Sequence, residues 1–175
     1  LRLRADGSID TSFGTNGYRL LVLDARGYVV LANQSLARIV GQDAEAMLGS
    51  QASRLPWADR AAQPLPEEQM PWMHALADGQ TRTNVPMYLR TGKGEAERAY
   101  AFRVNCSPIL GVGNRRQGVL VSFQDVTALE EMERQMIRDA LSRYSNKKQA
   151  ADELGIGIAT LYRKIKKYSL AAGQN

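Results

Sequence analysis

The chain has 175 residues, 44% hydrophobic and 23% charged, with a formal net charge of +5, enough for one domain of about 110 residues and a small bundle. Its single cysteine, Cys106, excludes an intramolecular disulfide and a thiolate zinc cluster and fits a reducing cytoplasm; no apolar run approaches the ~20 residues that span a bilayer, and no signal peptide opens the chain. From Ser145 onward six Lys or Arg stand against two acids, a net +4 that leaves +1 for residues 1 to 144, so a nucleic-acid partner is expected at the C-terminal end.

Residues 1 to 18, with Asp6-Gly7-Ser8 and Ser12-Phe13-Gly14, resemble one unit of a short β-rich bacterial repeat. A lone repeat has no neighbour to bury its face, so a loosely docked leader is expected there. The chain opens at Leu1 without methionine, which fits a fragment.

Leu20 to Asp24 and Tyr28 to Asn33 are β-rich runs separated by Ala25-Arg26-Gly27, the pattern of a tight hairpin. Asn33 then caps a helix with Leu36, Ile39 and Val40 on one face, closed by Gly41. Further helices are predicted from Asp43 to Gly49 and from Pro66 to Ala77, followed by strands over Asn84 to Arg90, Ala96 to Ser107 and Gly118 to Gln124, with turns at Gly92-Lys93-Gly94 and Gly111 to Asn114. In the middle strand Tyr100, Phe102, Val104 and Cys106 share one face, and Arg103, Asn105 and Ser107 the wetter one.

This order, with Leu23 to Asn33 as an opening hairpin ending in an asparagine cap and Gly118 to Thr127 as a last strand closing on Asp125-Val126-Thr127, resembles a PAS sensor domain over roughly 110 residues. The resemblance implies an antiparallel sheet with flanking helices and a small-molecule pocket, for which Leu23, Ile39, Trp57, Trp72, Met87, Tyr100, Phe102 and Val104 are the candidate lining. The plainer alternative is that these side chains simply fill the core. No cofactor is predicted. His74, the sole histidine, lies on a helix as an ordinary side chain more often than as a haem ligand. Cys106 sits in a late strand and not in the Asn-Cys-Arg-Phe helix segment of flavin-binding light sensors, so buried-thiol packing is expected. No metal site is predicted.

Thr127 and Glu130 form a capping box. Leu129, Met132, Met136, Ile137, Ala140, Leu141 and Tyr144 then follow as one stripe without proline or glycine, predicting a helix of roughly 17 residues and ~25 Å. Ile137 and Leu141 are assigned to intrachain packing; Leu129, Met132 and Met136 lie too early for it and are expected to face a second copy as a short parallel coiled coil. A sensor change that rotates or loosens this paired helix would alter the spacing of two DNA-reading helices, set for half-sites about one turn, ~34 Å, apart.

Beyond it, Asn146 caps a helix with Ala150, Ala151 and Leu154 on one face, Gly155 ends it, and Ile156 plugs the turn. Leu161, Ile165 and Tyr168 give the next helix a buried stripe and leave Arg163, Lys164, Lys166 and Lys167 outward or flanking. Such a helix fits the major groove, and its cations neutralise phosphates. A solvated basic helix in an ordinary bundle is the plainer alternative. About Glu131 to Leu170 resembles the Fis-type helix-turn-helix at the C-terminus of bacterial enhancer-binding activators. The resemblance implies DNA contacts from Asn146, Lys147, Lys148, Ile158, Thr160, Arg163, Lys164, Lys166 and Lys167. Gly157 stands where the family often has a Ser or Asn cap, and Ile158 where it often has Arg or Lys, so only apolar contact, for example to a thymine methyl, is expected from that position.

No G-x-x-x-x-G-K-[ST] occurs, no histidine follows Asp125-Val126-Thr127 to accept a phosphoryl group, and no nucleophile, base and orienter can be assembled around one histidine. The expectation is therefore a non-enzymatic α+β protein with four parts: an extension (1–18), a PAS-like domain (19–127), a connecting and dimerising helix (128–144) and a small all-α helix-turn-helix segment (145–175). Its expected function is that of a cytoplasmic, dimeric, sequence-specific transcription regulator binding double-stranded DNA. The alternative is a PAS dimerisation and protein-interaction module whose basic tail is only a solvated appendage.

Overall fold

The computed structural model describes residues 18–92 and 97–170; the expected leader lies outside them except for Tyr18, and so does most of the Gly92-Lys93-Gly94 turn. The chain divides into two compact units between Val126 and Thr127.

The first unit opens with a hairpin of β1 (Tyr18–Asp24) and β2 (Val29–Ala32). Asp24 Oδ1 accepts from the backbone N–H of Arg26 at 2.8 Å and of Tyr28 at 2.9 Å, which closes the turn through a side chain. Asn33, itself buried, caps α1 (Gln34–Val40): its Oδ1 accepts from Leu36 N and also from Leu20 N, both at 3.1 Å, so the same amide starts the helix and ties it to β1.

From Asp43 to Gly49, where a helix is expected, the chain forms turns, with Ala44 and Met47 buried as anchors and Ser50 Oγ donating to Met47 O at 2.6 Å. The helix expected from Pro66 is split into a 3-10 turn, Glu67–Gln69, and α2 (Pro71–Asp78). Proline pushes the residue before it out of the α region, and Met70 accordingly lies at φ −68, ψ 131. Ahead of both, the two-residue strand β3 (Trp57–Ala58), not anticipated, pairs with β4 (Arg82–Thr91). β4 begins earlier than expected because its register shifts between Arg82 and Val85, where Asn105 Oδ1 accepts from Asn84 N at 2.8 Å.

Strands β5 (Arg98–Leu110) and β6 (Arg116–Asp125) complete a six-stranded antiparallel sheet in the order β2-β1-β6-β5-β4-β3. Phe102, Val104 and Cys106 of β5 are buried on one face, while Asn105 and Ser122 meet across β5 and β6 on the other, with Nδ2 donating to Oγ at 3.5 Å. The first face, the helices and the intervening turns enclose one core that includes Leu21, Leu23, Leu36, Met47, Trp57, Trp72, Met87, Phe102 and Phe123.

The second unit is α3 (Thr127–Arg143), α4 (Lys147–Glu153) and α5 (Ile158–Lys167). α3 runs without a break over 17 residues, as the stripe predicts. Ile137 and Ala140 of α3, Ala150 and Ala151 of α4, and Leu161 and Ile165 of α5 are its buried centre, with Leu141, Tyr144, Leu154, Ile156, Tyr168 and Leu170 packed around them. Among the described residues no helix is long and apolar enough to cross a membrane.

Candidate nucleic-acid interface

The two short helices are set by local chemistry. Asn146 Oδ1 accepts from Lys148 N at 2.8 Å and starts α4. Small residues at Ala150 and Ala151 let α4 approach its neighbours closely, and Gly155, at φ 63, turns the chain. Ile156 N then donates to Ala151 O at 3.0 Å and its side chain joins the core, so α5 leaves in a defined direction. Gly157 precedes α5 in extended conformation and contributes no side-chain cap.

α5 has three faces. Leu161 and Ile165 are buried. Ile158, Ala159, Tyr162, Arg163 and Lys166 are exposed and, at spacings of one, three and four, share the opposite side. Ile158 is 43% and Tyr162 52% exposed, large values for apolar surface beside two cations. Thr160 is half-buried, and its Oγ1 accepts from Arg163 Nη2 at 3.2 Å, which restrains the guanidinium along the helix surface. Lys148 is exposed and Lys147 half-buried at the start of α4.

Lys164 and Lys167 lie on the flank turned toward α3. Lys164 Nζ pairs with Glu133 Oε1; Lys167 Nζ reaches Glu130 Oε1 at 3.1 Å and Glu133 Oε2 at 3.4 Å, and donates to the Tyr168 hydroxyl at 2.7 Å. The Tyr168 hydroxyl donates in turn to Glu133 Oε2. Partial burial raises the Glu133 carboxyl, but hydrogen bonds from Lys164 and Tyr168, with the charges of Lys164 and Lys167, outweigh it and hold the group at about 2. Both lysines therefore brace α5 against α3, whereas Arg163 and Lys166 face outward. Sequence reasoning missed Tyr162 and Glu133, and gave Glu130 only a helix-capping role and not its pairing with Lys167. Tyr162 was detectable as the i+4 neighbour of Ile158, whereas the acids sit 31 or more residues from their partners.

The early part of the α3 stripe stays uncovered: Leu129 is 68%, Met132 65% and Met136 58% exposed. With Ile137, Leu154, Ile156, Glu133 and Lys164 they line a mainly apolar groove of about 260 Å³.

In the first unit all eight residues assigned to a pocket come together: Leu23, Trp57, Trp72, Met87, Phe102 and Val104 are core members, and Ile39 and Tyr100 pack against them. Trp57 stacks on Phe123 with centroids 5.2 Å apart and meets Trp72 edge-on at 5.5 Å. The Trp57 indole N–H donates to Ala52 O at 2.8 Å, whereas the buried Trp72 indole N–H meets no acceptor among the described residues. Cys106 is buried, and desolvation pushes its thiol up to about 12. His74 Nε2 lies 2.7 Å from Glu68 O at the surface.

Residues 19–131 match the family model of the PAS fold, and residues 128–168 that of the bacterial regulatory proteins of the Fis family. Over 44 residues, 25% of this chain, the sequence is 84% identical to UacR of Escherichia coli (strain K12), named as a uric acid sigma-54-dependent transcriptional regulator; the chain spans 7% of that protein's length. The Vibrio cholerae VqmA dimer, solved in the absence of its target DNA, is similar with a TM-score of 0.50 and 17% identity, over 93% of this chain and 81% of the VqmA chain. An RNA-binding light-oxygen-voltage receptor gives 0.52 and 23% identity, over 71% of this chain and 34% of the receptor. These structural likenesses are likenesses of fold.

Proposed function

We propose that this chain, which belongs to the PAS fold family and carries a Fis-family helix-turn-helix behind that domain, is a DNA-binding transcription regulator that works as a dimer in which the PAS domain controls operator binding. The observation that carries DNA reading is the outward side of α5, where Arg163 and Lys166 stand beside Ile158 and Tyr162 on a helix anchored from behind by Leu161 and Ile165. An α-helix of this build enters the major groove, with its cations on phosphates and its first turns at base edges.

Dimerisation rests on Leu129, Met132 and Met136. Three large apolar side chains at spacings of three and four, exposed beside an apolar groove, form a seam for the same helix of a second copy. The VqmA structure is that of a dimer, which is the arrangement this seam supports. Control rests on connectivity: only Val126 separates the end of β6 from the start of α3, which is the route this reading gives the signal. The signal is a small molecule held in the aromatic core, with an acceptor atom for the Trp72 N–H, since a buried donor left unmatched costs about 1–3 kcal/mol. The cytoplasm is the compartment this function requires, and the likeness to UacR favours a sigma-54-dependent promoter.

The test is fluorescence anisotropy on labelled duplex DNA across a salt series, with native mass spectrometry of the same protein. A dimer whose affinity falls steeply with salt, at a slope of several phosphates, is expected. A protein that ignores DNA at low salt would instead be the non-catalytic interaction module.

A further inference from the structure

The start of α5 is unusual for a base reader: its cap and first two residues offer no polar side chain, and the Thr160 hydroxyl that follows is engaged by Arg163 at 3.2 Å. Gly157, Ile158 and Ala159 carry neither donor nor acceptor on their side chains, so hydrogen-bond discrimination between bases is absent there. The exposed surface that follows is mainly apolar, with the Tyr162 hydroxyl as its one polar tip: Ile158 and Tyr162, one helical turn apart, are 43% and 52% exposed and share one side of the helix. Arg163 and Lys166 lie on the same side, so the strip has one occupant of matching charge, a polyanion whose floor presents apolar groups. In duplex DNA the only apolar group on the major-groove floor is the C5 methyl of thymine.

Building on the DNA-binding function proposed above, we propose that Ile158 and Tyr162 form a ridge that selects two nearby thymines through their methyl groups, making Tyr162 a specificity-determining residue. Neighbours four apart on a helix are separated by about 5–6 Å and base pairs by about 3.4 Å along the axis, so the two side chains address positions one to two base pairs apart. Arg163, restrained by Thr160 at 3.2 Å, and Lys166 set the helix depth through phosphates and are indifferent to sequence. The operator is thereby read mainly by shape and methyl contact, with T·A pairs under the start of α5.

The experiment selects bound duplexes from a random-sequence library with the full chain, then replaces single thymines of the best site by deoxyuridine, which removes the methyl and keeps every hydrogen-bonding edge. Two thymines one to two base pairs apart are expected in each half-site, each uracil weakening binding about fourfold, the effect of uncovering one buried methyl. Ile158→Ala should abolish the uracil effect at one position and Tyr162→Ala at the other, with salt dependence unchanged; Tyr162→Phe should keep it. Selected sites without thymine there, or uracil duplexes bound as tightly as thymine duplexes by the unaltered chain, would overturn the ridge while leaving DNA binding intact. Failure to recover any duplex would overturn the DNA-binding function and the ridge together.

Discussion

A Cβ placed on Gly118 would lie 2.1 Å from the Leu23 carbonyl oxygen, a backbone atom with no room to yield. Gly118 pairs with Asp24 in β1 and Ile109 in β5, so the close approach holds three adjacent strands together. Gly118→Ala should destabilise the sensor unit by about 2 kcal/mol or more, measured by urea denaturation followed by tryptophan fluorescence, since Trp57 and Trp72 both sit in that core. Glu133 has the opposite character, a charge gathered by partners. Its folded carboxyl is held at about 2, below its ordinary 4.5, so its contribution is fully present above about pH 4.5 and is lost as pH falls through about 2. Because the cluster is partly exposed, that contribution is on the order of 1 kcal/mol. Helix content by circular dichroism at pH 5 and pH 2.5, in urea, should show the acid-dependent loss in the native chain and a smaller one in Glu133→Gln.

Among the elements, α3 has two faces with different employment. Ile137 and Ala140 are buried in the three-helix core, whereas Leu129, Met132 and Met136 contribute nothing to it. Leu129→Lys with Met132→Lys should therefore leave helix content unchanged and weaken self-association at least tenfold, read as a shift toward monomer in sedimentation. A weight-average mass unaffected by the pair of substitutions would rule this face out as the seam. α2 shows how an element is fixed from outside itself: Pro71 sets its start, and at its far end Arg116 of β6 donates to the carbonyls of Leu76 and Ala77. Those carbonyls have no partner within the helix, and a cation at the C-terminal end also opposes the helix dipole. No periodicity within residues 71–78 reveals that dependence on a strand 40 residues away.

For the regulator as a unit, one residue, Val126, separates β6 from α3, and on the proposed function rotation of that helix is the message. Two alanines inserted between Thr127 and Ala128 would turn the bundle by about 200° relative to the strand that leads into it and lengthen the rod by ~3 Å. The ties of Glu130 and Glu133 to Lys164 and Lys167 lie beyond the insertion and stay intact. The proposed seam at Leu129, Met132 and Met136 also lies beyond the insertion and keeps its register, so both units should fold, and on the proposed coupling DNA affinity should change by tenfold or more because the sensor domains now bias the paired helices from the wrong phase. Affinity within twofold of the unaltered chain in anisotropy titrations would mean that α3 transmits no orientation.

Periodicity and capping chemistry act over a few residues, and what depends on them was legible in the chain: the hairpin before Asn33, the alternation of β5, the unbroken α3, and the helix, glycine and helix at the C-terminal end. The basic character of α5 was equally plain, as was the apolar stripe of α3. Other features depend on partners far apart in sequence. Sequence spacing could not show that Lys164 and Lys167 turn inward to acids of α3 while Arg163 and Lys166 face outward, since all four are identical in charge and lie within five positions. Nor could it show β3, two residues that are a strand only because Leu89 and Tyr88 lie beside them, or a core indole N–H that meets no acceptor among the described residues. Local pattern determines which elements form, because their hydrogen bonds close within a turn or along a run. The division of one helix's cations between bracing α3 and facing outward is decided by packing, because Coulomb and hydrogen-bond partners are chosen by distance in space and not along the chain.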